Sequence, residues 1–150
     1  MAHTYTCLLN HIIFSTKERA PFIDTALKAR LFPYMGGIVR ELGAVALSIN
    51  GTTDHVHMLV SMPATIALSE FVSKVKANSS GWVHKTFPQQ REFKWQVGYA
   101  AFSVSASQKP GVLDYIANQE EHHRKLAFKG ELISFLKKHD IDYDERYIFE

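Results

Sequence analysis

Alternating apolar residues that give way to helical spacing, twice over, predict an α+β fold for this 150-residue chain. The order of the segments is β-α-β-β-α-β, the ferredoxin-like arrangement of an antiparallel sheet with helices on one face. Turn residues at the joints support it: Gly43, then Gly51-Thr52-Thr53, then Pro63. Length and composition agree with a single domain. The chain can bury one proper core and is short for two, and 46% hydrophobic with 21% charged residues is ordinary for a globular protein. A core unit of about residues 3–106 is followed by helices over about 108–139 and a tail over 140–150.

The first strand is read over Tyr5 to Thr16, which alternates and is rich in β-formers. Cys7 alternates with Tyr5 and Leu9, which predicts an inert, buried strand position. Asp24 is the expected N-cap of a helix from Thr25 to about Leu42, with Pro33 and Gly36-Gly37 as places where it could kink. Ala44 to Asn50 reads as the second strand and Asp54 to Ser61 as the third. A second helix follows over about Ala67 to Thr86, with Leu68, Phe71, Val72, Val75 and Trp82 as its apolar stripe. Phe87-Pro88-Gln89-Gln90 is a loop, and Lys94 to Ser105 the fourth strand. A third helix is expected from Lys109 to Phe128, with Pro110 in its first turn. Gly130 interrupts before a short helix from Glu131 to His139.

The chemistry is concentrated in two places. On the third strand His55 and His57 share a face, while Val56, Met58 and Val60 face the other way. Two imidazoles so spaced can take adjacent positions on one metal ion, or can be two half-exposed histidines that happen to alternate. On the third helix Tyr115 and Gln119 are one turn apart on one face, and His122 continues that stripe. Two imidazoles and an amide oxygen make a three-ligand site suited to Mg²⁺ or Mn²⁺, with Zn²⁺ admitted by the histidines. His122-His123 is expected to be an exposed helix pair, with a further ligand or a proton shuttle as the alternative. His3, His11, His84 and His139 have no partners at ligand spacing.

Three motifs together carry a resemblance. His11-Ile12-Ile13-Phe14-Ser15-Thr16-Lys17, Asp54-His55-Val56-His57-Met58-Leu59-Val60 and Asp114-Tyr115-Ile116-Ala117-Asn118-Gln119 occur in the order seen in single-tyrosine HUH transposases of small bacterial insertion sequences. The chain resembles that family, including its REP-associated members, over most of its length. The resemblance implies the same ferredoxin-like fold and an endonuclease and strand transferase acting on single-stranded DNA. It implies Tyr115 as nucleophile, forming a 5′-phosphotyrosyl intermediate, and His55, His57 and Gln119 as ligands of a divalent metal. It also implies recognition of DNA hairpins at element ends. A homodimer is implied too, in which the Tyr-bearing helix completes the partner's site.

A net charge of +2 does not announce nucleic-acid binding, but its distribution is uneven. Lys74, Lys76, Lys85, Arg91 and Lys94 face two acids between Glu70 and Lys94, whereas acids outnumber bases six to three from Glu131 to Glu150. The five bases are the candidate DNA-backbone contacts; a solvated helix face is the plainer reading. A non-catalytic RNA- or single-stranded-DNA-binding module is one competitor, suggested by Val97-Gly98-Tyr99-Ala100-Ala101-Phe102. The spacing there puts Tyr99 and Phe102 on opposite faces. A phosphodiester hydrolase that uses water is the other. No apolar run is long enough to span a membrane, no secretory signal is read at Met1-Ala2-His3-Thr4-Tyr5, and one cysteine fits a reducing cytoplasm.

Overall fold

The architecture comes from a computed structural model that describes residues 3–150, apart from the side chain of Lys125. Met1 and Ala2, part of the stretch in which a secretory signal was sought, lie outside the described residues. Four strands form one sheet: β1 (Leu9–Ser15), β2 (Val45–Gly51), β3 (His55–Ser61) and β4 (Ala100–Val104). Their order is β2-β3-β1-β4 and every pairing is antiparallel, as the β-α-β-β-α-β reading requires. Helices α1 (Thr25–Glu41) and α2 (Leu68–Thr86) cover one face. Helices α3 (Lys109–Ala117), α4 (Gln119–Lys125) and α5 (Phe128–Lys138) follow β4.

Period 2 along β1 and β3 divides the apolar residues between two cores. Ile12, Phe14, Val56, Met58 and Val60 are fully buried against α1 and α2 residues such as Leu31, Met35, Phe71 and Val75. Each such side chain contributes roughly 1.5–3 kcal/mol when removed from water. On the other face Ile13 and Phe102 pack with Phe128, Leu132 and Leu136 of α5, while Leu9 and Leu59 pack with Ile116 of α3. The C-terminal helices therefore form a second layer over the sheet face that carries His55 and His57.

Several boundaries differ from the sequence expectation. Cys7 is exposed, not buried, because the sheet begins at Leu9 and residues 3–8 run outside it. Helix α1 continues through Pro33: that residue and Ala29, whose carbonyl it leaves without a helical donor, are both exposed, so water can serve the carbonyl. The fourth strand is shorter than expected. Ahead of it, Gln96 pairs with Ser15 through its side chain as well as its backbone, and Gly98 N–H donates to the carbonyl of Glu150. The long third helix is broken at Asn118, whose φ of −105° and ψ of 32° leave helical geometry, and again before α5. Gly130 lies inside α5 instead of interrupting it. A Cβ there would stand 3.0 Å from Leu126 Cδ1, so glycine permits the close turn between α4 and α5. Among the described residues no helix is long and apolar enough to cross a membrane.

Candidate metal centre and nucleophile

His55 and His57 are both fully buried beneath the C-terminal layer. Their ring nitrogens meet three groups delivered by that layer. Gln119 Oε1 lies 3.2 Å from His55 Nε2, and Glu131 Oε1 lies 2.8 Å from His57 Nε2. His123 Nε2 lies 3.2 Å from Gln119 Oε1 and 3.3 Å from Glu131 Oε1. One donor atom from each of His55, His57, His123 and Glu131 falls within 4.8 Å of the others. Gln119 is fully buried and its amide also donates to the Tyr115 carbonyl at 3.3 Å, so the expected one-turn relation holds across the helix break.

The far side of each ring is also held. Asp54 Oδ1 sits 2.8 Å from His55 Nδ1, and His11 Nε2 sits 2.8 Å from His57 Nδ1. His11 reaches His57 because it is opposite Leu59 on the neighbouring strand, making His57 its diagonal neighbour on the same face. In the tautomer whose Nδ1–H donates to the Asp54 carboxylate, the His55 Nε2 lone pair faces the Gln119 and Glu131 oxygens. Acceptors turned towards one another are the arrangement a cation completes, and such outer partners fix ring orientation in metal sites. The donor set thus fits a divalent ion.

Electrostatics point the same way. Burial pulls the His57 imidazole down to about 4, against the raising influence of Glu131. Burial, aided by His57, pulls His11 down to about 3. Both rings are therefore neutral at physiological pH, the form that ligates or orients. Burial alone would raise the Glu131 carboxyl; hydrogen bonds from His123, His57 and Tyr115 outweigh it and hold the group well below the usual carboxylate range.

Tyr115 on α3 donates its hydroxyl hydrogen bond to Glu131 Oε2. Its ring stacks on His122 with centroids 4.3 Å apart and meets Phe135 edge-on. Burial, then the Glu131 carboxylate, pushes the phenol above its ordinary value, so here it is held as a phenol. A cleft of about 500 Å³ lies beside Tyr115, lined by His11, Val112, His122, Glu131 and Phe135 among others.

The candidate site thus unites the four residues expected from sequence, His55, His57, Tyr115 and Gln119, and adds Glu131, His123, His11 and Asp54. His123 departs from the exposed-pair expectation: its side chain is largely buried against the cluster, whereas His122 serves as the platform for Tyr115. The five candidate DNA-contacting bases lie elsewhere, on α2 and the segment after it. Lys85, Arg91 and Lys94 are exposed, and Lys74 is exposed beside Glu70 at 2.9 Å. Lys76 is different. Its ammonium donates to the carbonyls of Gln96, Val97 and Gly98 and is half-buried, with burial drawing it down to about 8. That binds Lys76 to the chain's own backbone.

A family model described as IS200-like transposase matches residues 4–119, a span that contains β1 through Gln119. The chain belongs to this family. The IS200 transposase of Salmonella typhimurium is 29% identical over 135 residues, covering 83% of this chain and 84% of that protein. The ISDra2 transposase TnpA of Deinococcus radiodurans is 24% identical over 116 residues, covering 74% and 83%. Among solved structures, a REP-associated tyrosine transposase bound to a REP hairpin superposes with a TM-score of 0.60 at 12% identity, covering 82% of this chain and 73% of that one. A candidate transposase from Deinococcus radiodurans R1 gives a TM-score of 0.65 at 22% identity, covering 79% and 96%. These likenesses establish the fold of this IS200-like transposase. The family match ends at Gln119, so His123 and Glu131 come from the part of the chain beyond it.

Proposed function

We propose that this transposase cleaves and rejoins single-stranded DNA with Tyr115 as nucleophile. One observation carries the reading: Tyr115 lines a cleft and its hydroxyl, through Glu131, adjoins the His55–His57 pair. In the proposed step the tyrosine oxygen bonds to a backbone phosphorus as the bond to the 3′ oxygen breaks. The phenolic proton ends on that 3′-hydroxyl, and the 5′ side remains as a phosphotyrosyl protein. The new ester retains the energy of the old one, so the reverse attack by a 3′-hydroxyl reseals DNA without a nucleotide cofactor.

An ordinary phenol titrates near 10, so the reaction needs help that Tyr115 does not supply alone. His55, His57 and Gln119 would hold Mg²⁺ or Mn²⁺ with His123 and Glu131; when bound, such an ion supplies Lewis-acid stabilisation of a phosphate oxygen. Asp54 and His11 orient the two imidazoles, His122 braces the Tyr115 ring, and the helical layer excludes water that would destroy the ester. Hairpin-containing element ends are the proposed substrate, in keeping with the REP hairpin bound by one structural relative. Lys74, Lys85, Arg91 and Lys94 are proposed backbone contacts. The free, exposed Cys7 fits a reducing cytoplasm.

Labelled single-stranded DNA from the flanks of the gene, incubated with Mg²⁺ or Mn²⁺ and run on a denaturing protein gel, tests the reading. Wild type is expected to give a metal-dependent labelled protein band, reduced at least about 10³-fold in Tyr115→Phe. Cleavage without a band, retained in Tyr115→Phe, establishes the water-using hydrolase instead. The RNA-module alternative is disfavoured by the fold, because the Phe102 face of β4 lies under α5 and offers no open sheet for stacking bases.

A further inference from the structure

Glu131 is the buried acid that touches both the nucleophile and the histidine cluster. It is 2% exposed, and its ion-pair partners among the described residues are the histidines His55, His57 and His123. This is a buried carboxylate set among imidazoles, without a lysine or arginine among those partners. Such a charge is costly unless a cation joins it. Its two oxygens face different groups. Oε1 points at the ring nitrogens of His57, His123 and, at 3.9 Å, His55, whereas Oε2 accepts the Tyr115 hydroxyl.

We infer that Glu131 is a positioning residue that ties the nucleophile to the metal centre, one oxygen entering the ligand set while the other holds the phenol beside it. The inference rests on the reading of Tyr115 as nucleophile. It assigns α5 a purpose that the family-matched segment, ending at residue 119, does not contain. The geometry makes the link short: a single carboxylate group separates the phenol from the imidazoles, so whatever draws on Oε1 is felt at Oε2. Gly130 and the stacking of Phe128 on His55, with centroids 4.0 Å apart, fix the start of α5 so that Glu131 enters the cluster from its first turn.

The test uses metal alone and no DNA. The full chain is labelled with 3-fluorotyrosine, and the Tyr115 ¹⁹F signal is assigned by its absence in Tyr115→Phe. Saturation with Mg²⁺ is expected to move that signal in the otherwise unaltered chain, because one carboxylate serves both groups. Glu131→Gln keeps the shape and removes the charge; Mn²⁺ binding, followed by the free-ion electron paramagnetic resonance signal, is expected to weaken about 10- to 100-fold. In Glu131→Ala at saturating Mg²⁺ the Tyr115 signal is expected to stay where it is without metal. If the alanine variant does not fold, Glu131→Leu, which fills the space, takes its place. Unchanged Mn²⁺ affinity in Glu131→Gln overturns the inference. So does a full-sized Mg²⁺-induced shift in the alanine or leucine variant. Neither result touches the covalent-adduct assay, so the tie between Glu131 and Tyr115 can fail while the transposase reading stands.

Discussion

His57 and Glu131, 2.8 Å apart, are driven by burial and hydrogen bonding to opposite kinds of neutrality and charge: the imidazole uncharged, the carboxylate ionised. Each makes stability depend on pH in the same direction. His57 titrates near 6.5 when unfolded and near 4 when folded, so the unfolded chain takes up the proton first and stability falls as pH drops through that window. Glu131 has a folded pKa below its unfolded value, so its contribution is present above about 4.5 and is lost as pH drops further. The metal-free protein is therefore expected to keep a constant urea midpoint above about pH 7. Between pH 6.5 and 4 it is expected to lose on the order of 3 kcal/mol through His57 and as much again through His11, which is drawn down to about 3 and takes up its proton over the same window; His57→Ala is expected to flatten the profile only in part. A wild-type profile level across that range contradicts the buried, neutral His57. Acid also opposes metal binding, since both nitrogens and oxygens must be proton-free to ligate.

The hairpin of β2 and β3 carries His55 at its first turn, and its geometry depends on Gly51. A Cβ at Gly51 would stand 2.1 Å from the backbone oxygen of His55, a distance that only a shift of the hairpin can relieve. Gly51→Ala is expected to cost about 2–3 kcal/mol in urea unfolding and to weaken Mn²⁺ binding, because the strand that moves holds two ligands. Equal stability and equal affinity would mean that the hairpin relaxes without displacing His55. The same elements show what sequence could and could not reveal. The His-x-His pair was legible because period 2 is a local property of a strand, and Tyr115 with Gln119 because helical spacing is local too. Glu131 was not, since it lies 74 residues from His57 and spacing along its own helix says nothing of which strand it meets. His123 stood only as an alternative ligand for the same reason: an acid-rich stretch, Gln119-Glu120-Glu121-His122-His123, reads first as a solvated surface until α5 folds across it. The shortened fourth strand was missed because bonds of the Lys76 and Gln96 side chains to the backbone, not propensity, decide where its pairing starts, and Cys7 because the alternation around it continues past the point, Leu9, where the sheet begins.

At the scale of the whole molecule, the helical layer packs on its own sheet. Ile116 is buried with Leu9 and Leu59, and Asn50 Nδ2 donates to the carbonyls of Ile116 and Ala117 at 2.9 and 3.3 Å. Tyr115 and Gln119 thereby reach the His55 and His57 of the same chain, whereas the family resemblance implies that this helix serves a partner subunit. The two arrangements differ in a mixing experiment. Tyr115→Phe lacks the nucleophile and His57→Ala lacks a ligand, so each alone is expected to form no covalent adduct with single-stranded DNA. If each chain builds its own site, every site in an equimolar mixture still carries one lesion and adduct stays absent. If helices are exchanged within a dimer, random pairing makes half the dimers mixed, and each mixed dimer has one site free of both lesions; about one site in four then regains activity. The burial of Ile116, Phe128, Leu132 and Leu136 against the sheet favours the first outcome. Exchange would require that apolar layer to leave one sheet and re-form on another. Recovery near a quarter would show that it does, with the same contacts made between chains.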